Sequence, residues 1–76
     1  MEKYQRDEKL LKAIGLRLRE LREACGLSQE KVLFQKNIYL TRIENGYRNV
    51  TIGTLVELCD AYNVTVREFF RGLKYD

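Results

Sequence analysis

The chain has 76 residues, with 14 basic and 11 acidic side chains for a formal charge of +3, and 45% of its residues are hydrophobic. That length allows one domain and leaves no room for a second, and the balance of apolar and charged residues is globular rather than disordered. Proline is absent and glycine occurs only five times, which argues against a turn-rich β sandwich or barrel and for an all-α fold.

The first nine residues, MEKYQRDEK, read as a charged N-terminal extension ahead of a helical core spanning 10–73. They lack the apolar centre of a secretory signal, and no apolar run approaches the roughly 18 residues that cross a bilayer. The expected location is therefore cytoplasmic. The first long helix covers 8–26, where Leu10 or Leu11, Ile14, Leu18, Leu21 and Cys25 fall on one face. Leu16 lies off that stripe, and Gly26 provides a left-handed stop. Ser28 starts a short second helix, Gln29 to Gln35, with Val32 and either Leu33 or Phe34 facing inward. A third helix is expected over Asn37 to Glu44, with Ile38, Leu40 and Ile43 as core, and Asn45-Gly46 stops it. Tyr47 to Val50 form a loop. Thr51 opens a fourth helix with Ile52, Leu55, Leu58, Cys59 and Tyr62 at helical spacing, and Asn63 can take its left-handed cap. Thr65-Val66-Arg67-Glu68 is a capping box that opens a fifth helix, with Phe69, Phe70 and Leu73 on its apolar side.

The two cysteines, Cys25 and Cys59, lie on apolar stripes and read as buried reduced thiols. With no histidine, the usual four-ligand zinc sites and histidine-assisted nucleophiles are excluded, so no metal, no cofactor and no enzymatic activity are expected. Positive charge is concentrated in residues 35–50, where Lys36, Arg42 and Arg48 face Glu44 alone. A local basic patch of this kind favours a polyanion.

Two short helices with a tight joint behind one long helix have the shape of a helix-turn-helix. The segments IGLRLRELREACGLSQEKV, RIENGYRN and TLVELCDAYNVTVREFF, in that order, resemble the phage-repressor-type (xenobiotic-response-element, Cro/repressor-like) helix-turn-helix domains over Ile14 to Phe70. The resemblance implies a compact five-helix bundle that binds operator DNA, usually as a homodimer, and regulates transcription. From Leu27 to Glu44 the chain is about three residues shorter than the family pattern, with Gln35-Lys36-Asn37 where a small-residue joint is usual.

On the expected third helix, Lys36, Asn37, Tyr39, Thr41 and Arg42 are candidates for base contacts in the major groove. Arg42 corresponds to a base-contacting position of the family, and its guanidinium can bind guanine O6 and N7 together. Ser28 and Gln29 at the start of helix 2, where the family contacts a phosphate, and Tyr47, Arg48 and Asn49 in the loop are candidate phosphate anchors. The resemblance further implies a partly buried ion pair between Arg22 and Glu44 that links helix 1 to helix 3. The expected partner is double-stranded DNA carrying a palindromic operator, without membrane or small-molecule ligand, and Leu16, Phe70, Leu73 and Tyr75 are apolar candidates for the dimer contact. The competing reading is a helical protein-interaction module, antitoxin-like or adaptor, that uses the same surface; the shortened joint favours it. Salt-dependent DNA binding separates the two, because phosphate contacts release counterions.

Overall fold

Four helices begin at a side-chain oxygen that takes up a free amide three residues on: Asp7 from Leu10, Ser28 from Lys31, Thr51 from Thr54 and Thr65 from Glu68. In the computed structural model, which describes residues 7–75, these open α1 (Glu8–Ala24), α2 (Gln29–Lys36), α4 (Ile52–Ala61) and α5 (Val66–Arg71), with α3 (Thr41–Glu44) between α2 and α4. At Thr65 the capping box is complete, with the Glu68 carboxylate accepting from the Thr65 N–H. No strand occurs among the described residues. The expected N-terminal extension lies mostly outside the described residues, and its last part, from Glu8, is already helix.

The helix ends are equally legible. After α1 the Leu27 N–H reaches the Arg22 carbonyl and the Gly26 N–H that of Glu23. After α3 Tyr47 reaches Arg42 and Gly46 reaches Ile43, and after α4 Val64 reaches Cys59 and Asn63 reaches Asp60. Each pair is a Schellman motif around a left-handed residue, namely Gly26, Gly46 and Asn63. Gly46 is needed twice over, because a Cβ there would also overlap the Lys12 side chain on α1.

The core gathers Leu18 from α1, Val32 from α2, Leu40 and Ile43 at α3, Leu55, Leu58 and Cys59 from α4, Tyr62, and Phe69 from α5. α1 packs on α3 so closely that a Cβ at Gly15 would overlap the Ile43 carbonyl oxygen and lie 2.6 Å from that of Glu44. Arg17 fastens α5 to α1: its Nε donates to the Phe69 carbonyl at 3.1 Å and its Nη2 to that of Glu68 at 2.9 Å.

Three expectations are corrected. The third helix does not start at Asn37. That residue is left-handed (φ 58°) and closes α2 through one bond from its N–H to the Leu33 carbonyl, so α3 shrinks to a single turn beginning at Thr41. Ile38 is half-buried and Leu40 buried, while Tyr39 between them is exposed. That two-residue alternation belongs to non-helical backbone, and it was misread as a helical face. The shortening thus comes out of the start of the third helix, and Lys36 becomes the last residue of α2. Ile52 is exposed, because the first turn of α4 projects beyond the core, and Phe34 rather than Leu33 turns to solvent. Cys25 is also exposed, since it sits where α1 ends, and its Sγ donates to the Tyr62 carbonyl at 3.3 Å; Cys59 is buried.

Candidate nucleic-acid interface

Arg22 sits on the inner face at the end of α1, one turn beyond Leu18, and Glu44 closes α3 behind Ile43. Both are 7% exposed. The guanidinium donates from Nε to Glu44 Oε2 at 2.7 Å and from Nη2 to Oε1 at 3.0 Å, a bidentate fork. Its third nitrogen, Nη1, donates to the Leu27 carbonyl at 2.6 Å. The hydrogen bonds to Glu44 raise the Arg22 pKa above its already high ordinary value. The guanidinium therefore stays charged, and the pair ties α1, the α1–α2 turn and α3 together.

The network continues outward. Gln29, the first residue of α2, donates from Nε2 to Glu44 Oε1 at 2.9 Å, and its Oε1 accepts from the Thr41 hydroxyl at 3.0 Å. Sequence reasoning placed Gln29 as a phosphate anchor and Thr41 as a base reader, and the structure bonds them to each other. No local pattern could reveal this, because the partners of Gln29 lie 12 and 15 positions away. The Leu27 carbonyl was missed for another reason: a backbone acceptor leaves no trace in residue type.

Around this framework five of the candidates, Asn37, Tyr39, Thr41, Arg48 and Asn49, line two adjoining shallow clefts that share Tyr39. One is lined by Asn37, Tyr39, Arg48, Asn49 and Thr51 over an apolar floor of Ile38, Ile43 and Val50. The other is lined by Gln29, Glu30, Leu33, Tyr39, Leu40 and Thr41. Tyr39 is 71% and Tyr47 60% exposed. Arg42 is exposed on α3, and its carbonyl accepts from both the Tyr47 and Arg48 amides, which folds the loop back over the end of that helix. Asn49 Oδ1 accepts from the Val50 N–H at 2.8 Å. Ser28 is exposed, and its hydroxyl oxygen caps α2. Lys36 stands apart: it is half-buried in the last turn of α2 and lines neither cleft. Among the described residues no cluster of three or more acidic or sulfur side chains could hold a metal, and no helix is long and apolar enough to cross a membrane.

The chain is similar in sequence and fold to known proteins. The chain is 34% identical over 62 residues to the HTH-type transcriptional regulator DdrOP3 of Deinococcus deserti, which covers 78% of this chain and 48% of that protein. It thus spans about half the length of the curated relative it matches. The restriction-modification controller protein C.AhdI from Aeromonas hydrophila is 41% identical with a TM-score of 0.72, over 79% of this chain and 96% of that one. The DNA-binding domain of BldD is 32% identical with a TM-score of 0.74, over 84% and 97% respectively. The sequence profile of the helix-turn-helix family matches residues 18–69, from the middle of α1 to Phe69 on α5, and the chain belongs to that family.

Proposed function

We propose that this protein is a sequence-specific DNA-binding transcriptional regulator that meets double-stranded DNA with the α2–α3 joint, α3 and the loop behind it. The observation that carries this reading is a cleft lined by Asn37, Tyr39, Arg48 and Asn49, with Thr41 and Arg42 exposed on an α3 that the buried Arg22–Glu44 pair ties to α1. Arg42, Asn37, Tyr39 and Thr41 face base edges in the major groove, and Arg48, Asn49 and Tyr47 contact phosphates. The relatives named above, a transcriptional regulator, a controller protein and a DNA-binding domain, support the same reading.

A single turn of recognition helix reads few base pairs, so useful discrimination calls for two copies on a palindromic operator. Leu16, Phe70 and Tyr75 are exposed apolar candidates for that contact, with the half-buried Leu73 beside them. The test is selection of bound duplexes from a random pool, with the mass of the complex measured in parallel. A palindromic consensus with half-sites about one DNA turn apart is expected, with binding that weakens steeply as salt rises. Salt-independent capture of a protein, with no DNA enriched, would favour the interaction-module reading instead.

A further inference from the structure

We propose that Gln29 is a positioning residue that turns the Thr41 hydroxyl into a hydrogen-bond acceptor toward DNA, so that Thr41 selects an amino-bearing base, adenine or cytosine. The inference rests on the DNA-binding reading and adds the polarity of one contact.

The polarity of the network is set at its buried end and passes outward. A guanidinium only donates, and an ionised carboxylate only accepts. With Arg22 forked onto Glu44, Glu44 Oε1 has only acceptor capacity to offer Gln29. The Gln29 carboxamide must therefore turn its NH2 to Glu44, at 2.9 Å, and its oxygen to Thr41, at 3.0 Å. Amide orientation is often ambiguous, but a carboxylate on one side removes the choice. Facing a carbonyl oxygen, the Thr41 hydroxyl has to donate. Its single proton is then used inside the protein, and what it presents outward is lone pairs and a methyl group.

Thr41 is exposed at the first position of α3. In the major groove, amino groups of adenine (N6) and cytosine (N4) donate, whereas guanine offers only N7 and O6 acceptors. A free threonine hydroxyl serves either kind of edge. One committed as an acceptor leaves a guanine edge unpaired. The bridge joins the first residue of α3 to the first residue of α2.

The test compares wild type and Gln29→Met by selection from random duplexes, with affinities measured on the consensus and on single-base variants. Gln29→Met keeps the length of the side chain and removes both hydrogen bonds, which frees the Thr41 proton. Preference for adenine or cytosine at one base position should fall by about tenfold, while the other positions keep theirs. A Gln29→Met protein with an unchanged consensus and uniformly weaker binding would make Gln29 a phosphate anchor and overturn the proposal. Additive effects of Gln29→Met and Thr41→Val on chemical unfolding would overturn it too, because the bridge would then be absent in solution. A wild-type chain that enriches no DNA at all brings down the functional reading and this inference together, an outcome distinct from either of those.

Discussion

At the scale of single residues, the Arg22–Glu44 pair matters most, because it is charged, forked and almost fully enclosed. Arg22→Ala leaves the Glu44 carboxylate, 2% exposed, without its cation. The expected loss is about 3 kcal/mol of stability in urea unfolding, with DNA binding weakened only through the fold. Glu44→Ala should be strongly non-additive with it in a double-mutant cycle; additive losses would mean the pair carries no coupling. Arg42 and Arg48 have equal charge and unequal positions, one on α3 and the other in the loop folded over its end. Arg42→Ala should cost about 1–3 kcal/mol on the selected site and relax preference at one base. Arg48→Ala should weaken all sequences alike and lower the salt slope by about one unit. Titrating both variants on selected and scrambled duplexes across salt separates the roles, and identical behaviour would leave only electrostatic attraction.

Among the elements, α3 depends on its neighbours for every constraint. One turn of helix is far too short to persist alone, so its direction is set where it touches α1 and where Asn37 ends α2. At Gly15 the backbone of α3 lies against α1 with no space for a methyl group. Gly15→Ala should therefore destabilise by about 1–3 kcal/mol, although the same change in an open helix stabilises by about 1 kcal/mol. A raised melting temperature would contradict the close contact. Asn37 holds φ 58° at the joint. Asn37→Gly should preserve stability, while Asn37→Val, β-branched in a left-handed conformation, should cost about 1–2 kcal/mol in the same unfolding assay.

Across the whole molecule, alkaline pH should be the weak side. Burial pushes the Cys59 thiol above its ordinary value and holds the Tyr62 phenol far above its own. Both groups ionise more readily in the unfolded chain. The folded state therefore keeps its full stability below the unfolded values, about 8.5 and 10, and loses it progressively as pH rises beyond them. The Tyr62 hydroxyl is buried without a hydrogen-bond partner among the described residues, an arrangement that costs roughly 1–3 kcal/mol. Tyr62→Phe should accordingly raise stability at neutral pH and shift the alkaline unfolding midpoint upward, as followed by circular dichroism. An unchanged pH profile would mean the phenol titrates as if exposed.

What could be read from sequence was the local chemistry. The oxygens at Ser28, Thr51 and Thr65 and the left-handed stops at Gly26, Gly46 and Asn63 mark helix ends, because caps are satisfied within four or five residues. The apolar periods of α1 and α4 announced most of the core for the same reason. The start of α3 was not legible. Ile38, Leu40 and Ile43 are compatible with a helical face in a list of residues, and only the fit of Leu40 into the core beyond a left-handed Asn37 makes the joint non-helical. The candidate contacts were half legible: their residue types were visible, but not that Lys36 closes α2. Gln29 acquired two partners that no local pattern encodes. Hydrogen bonds 12 and 15 residues apart in sequence exist only once α1 has brought α2 and α3 together, and that is a property of packing.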